Sequence, residues 1–220
     1  MRPTSASALY QPLDHILGSP ALVRVVRVLA GHGGSLGVSD IARRARISLP
    51  STRAALRRLV EAELVSAVGA GRSVVCALRS AHPLVPALVA LFASEREQAD
   101  AVLSAIRRAA AALEPAPLAV WLYGSVARGE DVPTSDIDIA LVSAEEDPTT
   151  QLYALREAVV AAIPESEHRI SLIGFGPRDV RRHVKEGAEV WQAMTRDAVV
   201  LAGDDPVAVV ERTARSGRGM

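Results

Sequence analysis

The stretch GSVARGEDVPTSDIDIAL, residues 124–141, decides the reading of the second half of this 220-residue chain. It opens on a Gly-Ser turn and ends in an apolar run that carries Asp136 and Asp138 one residue apart. On a strand, residues of like parity share a face, so both carboxylates point one way while Ile137, Ile139 and Leu141 point into a core. Like charges about 6–7 Å apart along a strand repel, and one of them takes up a proton unless a cation lies between them. Oxygen ligands with no His or Cys at useful spacing point to Mg2+ or Mn2+, and Mg2+ shares its shell readily with substrate phosphates. A nucleoside triphosphate is the natural ligand for such an edge. Gly124 lets the backbone come close to a ligand, Ser125 offers a hydroxyl and an N–H at the start of a helix expected from about Val126, and Arg128 lies one turn on, where it could meet phosphate oxygens.

Outward from this stretch, LAVWLYG (118–124) is a continuous apolar run of strand length. DIDIALV (136–142) is a second, RISLIGF (169–175) a third and AVVLAG (198–203) a short fourth, with helical spacing in LYALREAVVAAI (152–163) and again before the fourth strand. Strands mixed with helices predict an α/β or α+β sheet domain. EPAP, residues 114–117, breaks the pattern before it and is the expected boundary. The last residues, 204–220, read as a polar tail.

The first half has a different pattern. PALVRVVRVLA (20–30) has helical spacing behind Ser19 and Pro20 and ends at GHGG. Ser39 is the expected cap of a short helix over DIARRARI, and SLPSTRAALRRLVEAELV (48–65) gives a helix with Leu56, Leu59, Val60 and Leu64 on one side and Arg53, Arg57 and Arg58 largely off it. LVSAVGAGRSVVCAL (64–78) reads as two short strands around a Gly-Ala-Gly-Arg turn. Residues 83–93 and 94–113 follow as a short and a long helix, the second with Ser94 and Glu97 at capping-box spacing.

Formal net charge is zero, but residues 1–113 hold 14 arginines against 7 acidic residues, whereas 114–220 hold 11 basic against 18 acidic. A polyanion is the expected partner of the first half, and cations or a cationic complex that of the second; two solvated surfaces that merely differ are the plainer alternative. The one cysteine, Cys76, excludes an internal disulfide, MRPTSASALY lacks the apolar core of a signal peptide, and the longest apolar run, PLVPALVALF, is too short to cross a bilayer. A reduced, cytoplasmic location without a membrane is expected.

The order helix, short helix, basic helix, hairpin over residues 20–80 resembles the winged helix-turn-helix of bacterial transcription regulators. That resemblance implies binding of double-stranded DNA, with Ser51, Thr52, Arg53 and Arg57 facing bases or phosphates and Arg72 reaching DNA from the wing tip; a winged helix serving protein contacts is the alternative. Glu63 stands where such modules often turn on glycine. Gly124-Ser125, ten residues, then Asp136-x-Asp138 resembles the signature of DNA polymerase β-like nucleotidyltransferases, in particular the minimal, MNT-type branch, over about residues 118–202. The resemblance implies an α+β fold, a mixed sheet flanked by helices, and transfer of a nucleoside monophosphate, commonly AMP from ATP, to a hydroxyl. Asp136 and Asp138 would be catalytic as ligands of Mg2+ or Mn2+, and Gly124, Ser125 and Arg128 would bind the nucleotide.

In that family a third carboxylate sits on a later strand, and the matching position here is Ser171; Glu165, Glu167 and His168 stand just before that strand. Three readings stay open: an enzyme that modifies a protein or small-molecule hydroxyl, with a HEPN-type toxin as one such partner protein; a regulator whose degenerate nucleotidyltransferase domain senses nucleotide or partner; and a protein-binding scaffold. The expected divisions are a winged helix-turn-helix over 1–82, connecting helices and linker over 83–117, a minimal nucleotidyltransferase domain over 118–203 and the tail over 204–220. Winged-helix regulators usually dimerise on two-fold sites, so a homodimer is left open.

Overall fold

The computed structural model describes Tyr10 and residues 19–69, 73–163 and 169–216. The chain divides into two compact units, one running up to Ala99 and the other starting at Asp100.

The first unit begins with α1 (Pro20–His32), which has Pro20 in its first turn and stops at Gly33, left-handed at φ +71°. A two-residue strand, β1 (Leu36–Gly37), leads directly into α2 (Val38–Ala45), capped at Gly37. Ser39, the expected cap, therefore lies inside the helix, because the chain turns into α2 as soon as β1 has paired with the hairpin. The third helix, α3 (Leu49–Glu61), has Ser48 as its cap, with the Ser51 N–H donating to Ser48 Oγ at 3.2 Å. It stops short of the expected end. Glu63 takes up the left-handed conformation at φ +57°, so the turn into the hairpin is made without the glycine that would make it easily.

Strands β2 (Val65–Val68) and β3 (Val75–Leu78) pair antiparallel, and β1 adds to β3, giving the order β1-β3-β2. Val25, Leu29, Ile41, Ala55, Leu56, Val65 and Cys76 form the core between helices and sheet. Arg72 at the expected wing tip lies outside the described residues.

Residues expected as two helices are one, α4 (Val85–Ala111), 27 residues long. Ser94 is an exposed mid-helix residue rather than a cap. The buried stripe Val85, Phe92, Ala99, Val102, Ile106 passes through it without a break in spacing. Tertiary burial outweighs the local capping signal here. Within the same stripe Glu95 is buried, and Arg27 of α1 reaches it with two hydrogen bonds, Nε at 2.6 Å and Nη2 at 2.8 Å, while its guanidinium sits 5.4 Å from the Phe92 ring centre. The division between the units falls within this helix.

The second unit is built on a four-stranded mixed sheet, β4 (Ala119–Tyr123), β5 (Ile137–Val142), β6 (Ile170–Phe175) and β7 (Val199–Gly203), in the order β6-β5-β4-β7. β4 is antiparallel to β5 and β7, and β5 is parallel to β6. Between the strands run α5 (Gly124–Arg128), α6 (Thr149–Ala162), α7 (Pro177–Glu186) and α8 (Glu189–Asp197).

The central strands β4 and β5 are buried on both faces. Ile137, Ile139 and Leu141 point to one side; Ala140 and Val142, in line with Asp138, point to the other, into a core with Trp121, Phe175, Trp191 and Met194. Trp191 meets Trp121 and Phe175 edge-on, at centroid distances of 5.9 and 5.5 Å. The carboxylates are thus the half-buried end of an otherwise buried row. Most of the expected tail is α9 (Pro206–Ser216), because Val209 and Thr213, four residues apart, are buried.

Candidate functional site

Gly124 begins α5 directly after β4, at φ +75°, a conformation that only glycine adopts without strain. A β-carbon there would overlap the Asp138 carboxylate at Oδ2. The close approach made available by the missing side chain is therefore used: the turn that would cradle phosphates is pressed against one of the two acidic groups. Ser125 follows in the first turn of α5, half-buried, its carbonyl accepting from the Glu130 N–H at 2.8 Å.

Strand pairing aligns a row of three side chains on the same face: Tyr123 opposite Asp138, and Asp138 opposite Ser171. The Ser171 hydroxyl donates to the Asp138 carboxylate. Burial raises the Asp138 pKa above the usual carboxylate value and repulsion from Asp136 adds to it, while the Ser171 hydrogen bond and the charge of Arg128 work in the opposite direction. Burial, then the Asp138 charge, push the Tyr123 phenol up as well.

Asp136 stands just before β5. Its Oδ1 is shielded from solvent and accepts no hydrogen bond, although Arg169 Nε lies 3.2 Å away, outside hydrogen-bonding geometry. A shielded carboxylate oxygen without a donor, beside a second carboxylate that burial penalises when charged, fits a divalent cation held by Asp136 and Asp138. Among the described residues no third Asp, Glu, His or Cys joins them. The place of the third carboxylate in the resemblance is Ser171, and Glu165, Glu167 and His168 lie outside the described residues.

Arg128 is differently engaged from the expectation. Its Nε donates to Glu130 at 2.8 Å and its Nη1 to Asp197 at 2.9 Å. Asp197 ends α8, is nearly buried, and is also held by Arg196; those bonds, Arg196 first, lower its pKa. Arg128 therefore ties α5 to α8 and acts on Asp138 through its field. Three residues of this site escaped the sequence. Tyr123 and Arg169 follow from strand register, which requires knowing that β4 is antiparallel and β6 parallel to β5; Asp197, 69 residues from Arg128, leaves no local signal.

In the first unit Arg53 and Arg57 are exposed, one turn apart on α3. They border a groove of about 780 Å3 between α3, the start of α2 and the strands, with Asp40 and Glu61 also lining it. Ser51 is exposed, its hydroxyl 2.8 Å from Ser48 Oγ. Thr52 is a correction: it is fully buried, and its hydroxyl donates to the Ser48 carbonyl at 3.0 Å, so it cannot face a base or phosphate. Its position on the inward side of α3, in line with Leu56 and Leu59, is the reason.

Among the described residues no helix is long and apolar enough to cross a membrane. Residues 108–192 match the family model described as Polymerase beta, Nucleotidyltransferase, and residues 22–69 match that of the IclR helix-turn-helix domain. Neither curated proteins nor solved structures give a match. The chain carries a polymerase β-type nucleotidyltransferase domain behind an N-terminal helix-turn-helix domain.

Proposed function

We propose that the second unit binds a nucleoside triphosphate, with ATP the first candidate, through a Mg2+ or Mn2+ ion held by Asp136 and Asp138, and transfers the nucleoside monophosphate to a hydroxyl. The observation that carries this reading is the contact of the Gly124 backbone with Asp138, which sets the turn at the start of α5 directly beside the two-carboxylate edge. When bound, the ion neutralises phosphate charge and polarises the phosphorus under attack. Gly124 and Ser125 supply donors for the terminal phosphates, and Arg128, fixed by Glu130 and Asp197, adds positive charge. In the transfer, the acceptor hydroxyl gives up its proton to solvent, its oxygen bonds to the α-phosphorus, the bond from that phosphorus to the bridging oxygen of the β-phosphate breaks, and pyrophosphate leaves. The acceptor is a protein or small-molecule hydroxyl, a HEPN-type partner protein being one concrete case. The first unit binds double-stranded DNA through α3, with Arg53 and Arg57 on its exposed side.

A second reading rests on Ser171, which offers Asp138 a hydrogen bond where the resemblance calls for a metal ligand and base. A domain so altered holds Mg·ATP and acts as a sensor for the DNA-binding unit. Incubation with α-labelled ATP, Mg2+ and lysate distinguishes the two. Labelling of an acceptor that disappears in Asp136→Ala and Asp138→Ala supports transfer; Mg·ATP binding by calorimetry without labelling supports the sensor; neither binding nor labelling removes both.

A further inference from the structure

The second unit has another concavity, at the opposite end of its sheet. It is a groove of about 720 Å3 between α7 and α9, reached by Leu118 at the start of β4 and by Glu146 beyond the end of β5. Six strand positions separate Asp138 from Ala144 on its rim, about 20 Å. Its floor is apolar, with Val180, Val184 and Val210, and Val184 is 43% exposed.

Its rim is basic in an acidic half-chain. Of the 11 basic residues in 114–220, six stand on α7 and α9. Arg178, Arg181 and Lys185 line the groove along one side of α7 over about 10 Å. Glu146 shows what this rim recognises: its carboxylate accepts from the Arg178 backbone N–H at 3.0 Å and from Arg181 Nη2 at 3.2 Å, with Arg178 Nε at 3.5 Å. One carboxylate shared between two guanidiniums leaves positive charge over. Lys185 has no acidic partner among the described residues.

The kind of anion follows from which donors remain. A compact phosphate would seek backbone N–H groups at the start of α7, but Glu146 takes that of Arg178 and Asp179 takes that of Gly176, at 3.2 Å. What remains is the Lys185 ammonium and the outward edge of the Arg178 guanidinium, two turns apart beside an apolar floor, with Arg181 between them held by Glu146 and by the Thr213 carbonyl at 3.1 Å. That pattern complements a helical occupant with carboxylates along one side and apolar residues beside them.

We propose that the α7–α9 groove is a docking surface for an acidic, amphipathic segment of a partner protein, separate from the Asp136–Asp138 edge. The test uses the full chain and a fluorescein-labelled helical peptide with glutamates at i, i+3 and i+7 and leucines between them. Fluorescence anisotropy is expected to show binding that weakens with added salt and falls about tenfold or more, that is about 1.4 kcal/mol, in Lys185→Glu and in Arg178→Glu. Both side chains are exposed, and circular dichroism checks that the variants fold. Mg·ATP affinity stays unchanged. The proposal is overturned if the glutamine version of the peptide binds equally well, if the glutamate peptide fails to bind, or if both variants bind it as tightly as the parent. It is also overturned if Lys185→Glu weakens binding of a short DNA duplex but not of the peptide, which would make the groove a nucleic-acid surface.

Discussion

Ser171 stands directly opposite Asp138 across the paired parallel strands β5 and β6, where its side chain favours the charged carboxylate. That interaction lowers a pKa which burial and Asp136 raise. Ser171→Ala is therefore expected to move Asp138 further up, as followed by carboxyl-carbon NMR titration. Under the transfer reading, Ser171→Asp places a third carboxylate in the row and is expected to raise labelling by about a hundredfold. A fall in labelling would show that the hydroxyl, rather than the lost acid, is what the site uses.

Asp138 also sets a pH dependence of stability. A carboxylate with a raised pKa binds its proton more tightly in the folded chain. Its contribution to folding is thus full below the unfolded value of about 3.8–4 and is lost as pH rises through the folded pKa. At neutral pH the ionised group opposes folding in the absence of a cation. Asp138→Asn is expected to raise Tm by about 2 °C without metal and to abolish any further rise on adding Mg2+, measured by thermal shift.

Gly124→Ala puts a β-carbon into the Asp138 carboxylate and a side chain at φ +75°. A cost of about 1–2 kcal/mol in denaturant unfolding is expected from the backbone alone. Loss of Mg·ATP binding in calorimetry should accompany it, because Asp138 has to move aside.

On α3, Arg53→Ala and Arg57→Ala are each expected to weaken binding of a DNA duplex and to reduce the slope of log affinity against log salt by about 1. Thr52→Val is expected to leave DNA affinity alone and to cost about 1 kcal/mol of stability, since its hydroxyl only serves Ser48. A DNA defect in Thr52→Val with normal stability would contradict its burial.

The Arg27–Glu95 pair is enclosed, with side-chain exposures of 17% and 3%. Removing one partner strands a charge, so Glu95→Ala is expected to cost about 3–5 kcal/mol in chemical unfolding. Arg27→Met combined with Glu95→Leu should recover most of that loss.

Much of this architecture is written locally. The alternation through Ile137, Ile139 and Leu141 and the Gly124-Ser125 turn are short-range patterns, and both lie where the spacing puts them. The basic side of α3 is equally legible in Arg53 and Arg57. The misreadings share a physical origin in tertiary contacts. Thr52 looks polar, but its hydroxyl is satisfied inside the helix turn. Ser94 looks like a cap, but the stripe from Phe92 to Ala99 carries the helix through it. Arg128 looks available for phosphate until Asp197, distant in the chain, engages it. The α9 helix looked like a tail because its apolar side is only two or three residues wide.

Helix α4 gives Phe92 to the core of the first unit, while Ile106 and Ala110, buried further along the same helix, belong to the second unit. No cut within residues 85–111 yields two complete halves. Gene fusions or truncations that treat the helix-turn-helix and nucleotidyltransferase regions as interchangeable cassettes must therefore duplicate this segment rather than divide it.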